Sequence, residues 1–360
     1  MPQQSIVATI PVEVSRHERF RRDVLDRDRR RCVLCGSPDG DAHHVFASAL
    51  WDDGANIAGN GVTLCAKHRT QALETLLSVE TLLEAAGLVD RPLPPQLHAV
   101  ERYDRWGNPI LANGRRARGE LFLTPDAQHW LARGGALDRF VPWVKYPRTY
   151  VLPWSETVGE GDRMLASLAP LACAPVIATE KMDGENVSLY RDFLHTRSVA
   201  RIAHPSRAWL DAFWERIRGD IPDGWRICGE YLRVGHTVRY DRLPSYFMAF
   251  AVWDDRNICL SWADTILFLA RLGIEPVPVL YEGLLDPVAI DRAWRGLGTP
   301  SEGYVVRTIG EIAYRDFRRL AGKFIRADYV QSEPVRNNIR SGSSLSTNNL
   351  TEETESTQIP

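Results

Sequence analysis

At 360 residues the chain is long enough for two folded units, and an apolar share of 44 % can supply a core for each. Its 44 Lys and Arg against 46 Asp and Glu leave a net charge of −2, which excludes a uniformly basic nucleic-acid coat but allows a local basic groove. No stretch approaches the ~18 uncharged apolar residues of a membrane span. The opening MPQQSIVATIPVEVSRHERF lacks the basic start, apolar stretch and small-residue cleavage site of a secretory leader, so a cytoplasmic protein is expected.

Residues 1–15 hold a β-branched run, IVATIPVEV, expected as one strand or arm. Arg16 begins a charged segment, expected to be helical, with eight arginines against four acids by Arg31. Leu73, Leu76, Leu77, Val79, Leu82 and Leu83 then recur at helical spacing through QALETLLSVETLLEAAGL, predicting a helix that Gly87 stops. Residues 88–150 are rich in Pro and Gly (RPLPPQ, WGNPILANG) and read as a connector of short elements packing on the domain C-terminal to it. From 151 to 330, β-type runs (CAPVIATE, WRICGEYLRV, SYFMAFAVW, NICLSW, EGYVVRT) alternate with helical stretches, which predicts an α+β domain built on antiparallel sheets. The tail, residues 331–360, has too little apolar surface to offset its ordering entropy and is expected to be disordered.

Of the six cysteines, Cys173, Cys228 and Cys259 are scattered among apolar residues and read as buried structural thiols. The other three cluster beside histidines. Cys32-x2-Cys35 and Cys65-x2-His68 are two matched knuckles, and three thiolates with one imidazole suit a closed tetrahedral zinc site. The arginines from Arg16 to Arg31 suit contact with phosphates.

The segment that carries chemistry is Thr179-Glu180-Lys181-Met182-Asp183-Gly184-Glu185-Asn186. A lysine between a strand and Asp-Gly is a reasonable nucleophile once desolvation or neighbouring cations lower its pKa from ~10.4. Gly184 would allow a tight backbone beside a nucleotide. K-x-D-G alone recurs by chance. The case rests on its successors: Arg197 in HTRS, Glu230 in RICGEYL, Phe247 in SYFMAFAVWD, Glu302-Gly303 in EGYVVR and Lys323 in AGKFIR. Glu230 and Glu302 interrupt apolar runs, where an unpaired carboxylate is rarely buried.

This succession resembles the motifs of the covalent nucleotidyltransferase superfamily, which holds ATP-dependent DNA ligases, RNA ligases and mRNA capping enzymes, and its style is that of the RNA ligases. The resemblance covers roughly residues 150–330 and implies an adenylylation domain in which Lys181 attacks the α-phosphorus of ATP to form lysyl-AMP. It implies that Glu230 accepts from the ribose hydroxyls, Phe247 stacks on adenine, and Arg197 and Lys323 bind phosphate. Glu302 would hold Mg2+ or Mn2+. Thr179 and Glu180 would belong to the nucleotide pocket, and Asn186 to the later, RNA-dependent steps. The family's last motif carries K-x-K. Here Ile325 stands at the second position, and Arg326 would point to the opposite face of a strand.

Residues 20–70 also resemble an HNH endonuclease module of the treble-clef type, through His43-His44, Asn60 before VTLC and the paired knuckles. That resemblance implies His43 as ligand of a second, catalytic metal and His44 as general base. The family's further histidine after the last knuckle ligand is Arg69 here. Residues 1–87 are therefore expected to form an HNH-like zinc module that docks nucleic acid rather than cuts it.

The expected function is ATP-dependent sealing of RNA 5′-phosphate and 3′-hydroxyl ends, with ATP, a divalent ion and zinc as cofactors. A DNA ligase or capping enzyme would share the motifs, but both normally carry an OB-fold domain where only a polar tail follows Lys323. An HNH-type nuclease with a nucleotide-binding C-terminal half, or a non-catalytic zinc-bearing RNA adaptor, would each account for part of the pattern.

Overall fold

A computed structural model describes residues 15–51, 54–88, 92–159, 161–197, 199, 207–235, 237–327, 329 and 335–336. The β-branched run before Ser15 and most of the polar tail, both singled out in the sequence, lie outside these residues. The chain divides into two compact units, Met1–Arg148 and Thr149–Pro360.

The first unit opens with α1 (Arg16–Arg27), started by a capping box in which Ser15 and Glu18 each accept from the other's backbone N–H. Phe20, Val24 and Leu25 are its buried residues. β1 (Asp41–His44) and β2 (Gly61–Leu64) pair antiparallel, with His43 opposite Val62. The periodicity through Leu83 predicts one helix, but the chain makes two, α2 (Ala66–Leu73) and α3 (Val79–Ala85). Thr75 turns to φ +59°, and Ser78 caps the second start by accepting from the Thr81 N–H at 3.0 Å. Gly87, at φ +65°, follows the second helix as a left-handed stop.

The Pro- and Gly-rich region then makes β3 (Arg102–Tyr103), β4 (Pro109–Ile110), β5 (Arg116–Arg118), α4 (Pro125–Arg133) and β6 (Phe140–Val144), the strands forming one sheet in chain order. The expectation of a connector packing on the C-terminal domain is corrected by the core it joins. Tyr103, Trp106, Leu121, Phe122, Leu131 and Phe140 share one core with Phe46, Leu50, Val62 and Leu82. A two-stranded ribbon with three short helices has too little apolar surface to close a core alone, so these residues complete it. A buried Arg116–Asp104 pair at 2.9 Å ties β5 to the β3–β4 turn.

The second unit runs β7 (Tyr150–Val151), α5 (Ala169–Ala172), β8 (Val176–Lys181), β9 (Glu185–Leu189), β10 (Leu194–Thr196), α6 (Ala208–Ile217), β11 (Arg226–Tyr231), β12 (Val234–Gly235) and β13 (Phe247–Trp253). It continues through β14 (Ile258–Cys259), α7 (Trp262–Leu272), β15 (Val279–Gly283), α8 (Pro287–Arg295), β16 (Gly303–Thr308), β17 (Ile312–Ala313), α9 (Phe317–Leu320), β18 (Ala321–Ile325) and β19 (Val335–Arg336). Every β-type run named in the sequence contributes a strand, and the fold is α+β with antiparallel-rich sheets, as expected.

One sheet has the order β15-β8-β16-β18-β7, antiparallel except for the parallel β18–β7 pair. The other has the order β10-β9-β11-β13-β14-β17 and is antiparallel throughout. Trp209, Leu210, Phe213 and Ile217 of α6 pack against the second sheet, and Ile290 and Trp294 of α8 against the first. Because β8 belongs to one sheet and β9 to the other, Met182-Asp183-Gly184 carries the chain between them. Gly184 is demanded there by space rather than by φ: a Cβ would lie 2.4 Å from the Tyr231 carbonyl oxygen.

Candidate active site

The crossing from one sheet to the other opens a cleft of about 630 Å³. Lys181, Glu302, Lys323 and Ile325 line it from the first sheet and its loops, and Glu185, Asn186, Thr196, Arg197 and Glu230 line it from the second. Asp162 and Tyr329 complete the polar wall.

Strand register sets the spacing of its charges. Lys181, Gly303 and Ile325 stand side by side across β8, β16 and β18, and Thr179, Val305 and Lys323 form the next row on that face. The central Gly303 has φ +154°, and a Cβ on it would lie 2.0 Å from the Phe324 carbonyl oxygen. Glu302, immediately before it, accepts from the Lys181 Nζ at 2.5 Å.

Burial alone would push the Lys181 amine down, but Glu302 and Glu230 outweigh it and hold the amine above its usual value. This reverses the expectation of a lowered lysine pKa in the nucleotide-free protein, because its neighbours are carboxylates, not cations. Burial likewise pushes Glu302 up against the pull of Lys181. Glu230 is pushed by burial to about 8, and its Oε1 accepts from the Gly184 N–H at 3.2 Å.

Lys323 donates to both oxygens of Asp162 at 2.8 Å. Burial pushes Lys323 down; Asp162 opposes this, while Lys181 and Arg197 reinforce it. Arg197 is exposed and pairs with no described carboxylate. Asn186, opposite Glu230 in the ladder, has a buried Oδ1 without a partner among the described residues. Asp183 is anchored, accepting from the Thr237 and Val238 N–H groups at 2.6 and 2.7 Å and from the Tyr329 hydroxyl at 2.8 Å.

The structure thus gathers Lys181, Asn186, Arg197, Glu230, Glu302 and Lys323 in one cleft. Thr179 and Glu180 are buried beside it, and burial pushes the Glu180 carboxyl up against its hydrogen bond to Ser301. Phe247 requires correction. It is fully buried against Phe213 of α6, on the face of the second sheet that packs the helix, and it does not line the cleft. Arg326 does not line the cleft either; its N–H donates to the Glu302 carbonyl at 3.1 Å. Asp162 was missed in sequence because its pairing with Lys323 spans 161 positions.

The first unit holds a separate cluster. Cys32, Cys35, Cys65 and His68 bring their ligand atoms within 4.8 Å of one another. Cys35 Sγ and Cys65 Sγ are 3.9 Å apart, and His68 Nδ1 lies 3.2 Å from Cys32 Sγ and 3.4 Å from Cys65 Sγ. A tetrahedron with Zn–S bonds of ~2.3 Å has edges of ~3.8 Å, so the donor set fits zinc. Burial pushes the Cys32 thiol up, but backbone N–H groups and His68 outweigh it and bring it to about 6.

The nearby histidines are placed differently from the HNH expectation. His43 is buried, and burial with the charges of Arg105, His44 and Arg69 pushes its imidazole pKa well down; among the described residues the one cluster of metal-type ligands is Cys32, Cys35, Cys65 and His68. His44 stacks on Phe20 at 4.2 Å, its Nε2 3.0 Å from Asn56 Oδ1. Asn60 is buried and structural, accepting from the Phe46 N–H at 2.9 Å. Of the scattered cysteines, Cys228 and Cys259 are buried, whereas Cys173, just past the short α5, is exposed.

Residues 174–325 match the family model described as RNA ligase. Among solved structures, a mutant Naegleria gruberi RNA ligase with ATP and Mn is 14 % identical, with a TM-score of 0.34 over 45 % of this chain and 52 % of that one. An archaeal ATP-dependent RNA ligase is 18 % identical, with a TM-score of 0.38 over 51 % and 48 %. A putative ATP-dependent DNA ligase from Aquifex aeolicus is 16 % identical, with a TM-score of 0.34 over 51 % and 50 %. The chain thus spans about half the length of these solved structures. No curated protein matches. No described helix is long and apolar enough to cross a membrane.

Proposed function

We propose, from the RNA-ligase domain that residues 174–325 carry, that the protein joins RNA 5′-phosphate and 3′-hydroxyl ends at the expense of ATP. The observation that carries this reading is Lys181 at the end of β8, inside the cleft and against Glu302, with Lys323 one row away on the same face.

Lys181 attacks the α-phosphorus of ATP, forming the N–P bond of lysyl-AMP and releasing pyrophosphate. A 5′-phosphate oxygen then displaces the lysine to give a 5′-adenylylated end. The 3′-hydroxyl oxygen of the second end attacks that phosphate and releases AMP. Each transfer is an in-line displacement that depends on position and on stabilisation of oxyanion charge. Lys323 and Arg197 supply cations on phosphate oxygens, Glu230 accepts from a ribose hydroxyl, and Asn186 presents a free acceptor to the nucleic acid. When Glu302 is engaged elsewhere, Lys181 loses its largest charged partner and burial is opposed by Glu230 and Asp183 alone, which moves the amine toward its neutral form. Glu302 is a hard oxygen donor suited to Mg2+ or Mn2+, which when bound would offset phosphate charge. Cys32, Cys35, Cys65 and His68 would hold a structural zinc.

Denaturing mass spectrometry after incubation with ATP is the direct test. An acid-labile AMP adduct on Lys181, absent from Lys181→Ala, is expected. Its absence from the wild-type protein overturns the ligase reading. Parallel nicked RNA and DNA substrates separate RNA joining from DNA joining.

A further inference from the structure

The chain leaving β7 makes a loop that sets one carboxylate on one lysine of the cleft. At its near end Ser155 Oγ accepts from the Ile325 N–H at 2.9 Å, and the Glu156 and Thr157 N–H groups donate to the Ile325 carbonyl at 3.0 and 3.1 Å. Thr157 Oγ1 donates to the Arg326 carbonyl at 2.7 Å. At its far end the Arg163 carbonyl accepts from the Val151 N–H at 2.7 Å, and the Leu165 N–H donates to the Val151 carbonyl at 2.8 Å. Asp162 lies between these anchors. Its N–H closes a turn onto the Gly159 carbonyl at 2.9 Å, with Gly161 at φ +73°. Gly159 leaves room for the carboxylate, since a Cβ on it would stand 3.1 Å from Asp162 Oδ2.

Both Asp162 oxygens accept from Lys323 Nζ at 2.8 Å, with the two side chains 18 % and 16 % exposed. Both residues line the cleft, so a ligand that enters it reaches the pair. Lys181, a second lining cation, is paired with Glu302. Two cations of the empty cleft are thus capped by the protein's own carboxylates. A phosphate oxygen is the same kind of acceptor as a carboxylate oxygen, and it competes with Asp162 for the same ammonium.

Displacement does not take Asp162 away. Arg163, the next residue, is fixed to β7, and Thr157 is fixed to the end of β18, so the carboxylate can turn off Lys323 but stays in the cleft wall. A triphosphate then shares the cleft with Asp162, Asp183 and Glu302. A divalent cation carried with the phosphates offsets that repulsion, whereas a bare triphosphate meets all of it.

We propose that Asp162 is an internal anion that a nucleotide phosphate must displace from Lys323, and that it makes the cleft select metal-bound over metal-free triphosphate. The nucleotide's identity as ATP rests on the ligase reading above; the exchange at Lys323 rests on the anchored loop and the ion pair it presents to the cleft.

The test is isothermal titration of the full chain with α,β-methylene-ATP, whose P–CH2–P bridge Lys181 cannot cleave, once in EDTA and once in saturating Mg2+, at fixed ionic strength. In Asp162→Asn the Kd without metal should fall roughly tenfold, as for release of one charged hydrogen-bonded partner, and the Kd with Mg2+ only about threefold. In a Lys323→Met background Asp162→Asn should lose most of that gain. Melting midpoints identify folded protein, and Asp162→Ser repeats the comparison if Asp162→Asn is destabilised. An unchanged or raised Kd in a folded variant overturns the proposal. So does an equal gain with and without Mg2+, or an undiminished gain in the Lys323→Met background. Tripolyphosphate titrated in parallel reads the same exchange without a nucleoside, and lysyl-AMP formation from ATP is measured on the wild type. An adduct with no change in Kd overturns this proposal alone; no adduct, with tripolyphosphate bound more tightly by Asp162→Asn, overturns the ligase reading alone.

Discussion

Replacing Glu302 by Gln should lower the pKa of Lys181 and make the free enzyme's amine more reactive. Lys181 Nζ and Glu302 Oε2 are 2.5 Å apart, with side chains 24 % and 6 % exposed. At that distance unit charges attract by about 1.7 kcal/mol at the dielectric constant of water and about 6.6 kcal/mol at an effective value of ~20. One pKa unit corresponds to ~1.36 kcal/mol, so even the lower bound gives a fall of about one unit. Burial, the largest influence on Lys181, acts downward and would then be opposed by Glu230 and Asp183 without Glu302. A lower pKa raises the free-amine fraction at fixed pH, so labelling near neutral pH should rise roughly tenfold. Competitive acetylation of the ATP-free, metal-free protein over a pH series, with Lys181 followed by peptide mass spectrometry, measures the midpoint directly. A midpoint in Glu302→Gln equal to or above the wild-type value would refute the argument that Glu302 holds the proton on Lys181.

Asp162→Asn removes the anion that occupies Lys323, so KM for ATP in self-adenylylation should fall several-fold; a rise would mean that Asp162 assists the nucleotide instead of competing with it. Phe247→Ala should cost ~3–5 kcal/mol in denaturant unfolding, as for a buried aromatic. Phe247→Leu should leave KM for ATP nearly unchanged, and a tenfold increase would restore adenine stacking to that residue. Gly303→Ala forces a Cβ against the Phe324 carbonyl, and should destabilise the second unit by ~1–3 kcal/mol or more and abolish the AMP adduct. Cys65→Ser should reduce bound zinc, measured by elemental analysis, from one equivalent to well below it and lower the melting midpoint of the first unit.

Much of the candidate site was legible because its parts are local. Lys181 ends a strand three residues before a glycine and Glu302 immediately precedes another, so each charge is marked by a glycine close in sequence, although the backbone that each glycine admits, at Tyr231 and Phe324, is distant. The knuckles at Cys32 and Cys65 were legible for the same reason, since each places its pair of ligands within one turn of chain. Long-range matters were not. Asp162 reaches Lys323 across 161 positions, and nothing in VGEGD marks it as the counterion. The role of residues 92–148 was hidden likewise, because sharing a core with the segments around the Cys/His cluster depends on tertiary packing that a Pro- and Gly-rich composition does not report.

Phe247 failed on parity. SYFMAFAVW offers aromatic residues at either parity, Phe247 and Phe250, and a one-residue difference moves a side chain to the opposite face of a sheet. Phe247 joins the α6-facing core, whereas Met248 and, at its edge, Phe250 join the cluster that includes Met182, next to Lys181. The expected lysine pKa failed on a comparable ambiguity of sign. The motif order brings Glu230 and Glu302 to Lys181, but carboxylates that prepare a site for cations and phosphate also hold a proton on the amine while the site is free of them. If the proposed function holds, the carboxylates that would prepare the cleft for a metal-bound nucleotide also keep Lys181 protonated beforehand. On that reading Lys181 would lose its strongest charged partner whenever Glu302 engages another group, which would tie its activation to occupancy of the cleft.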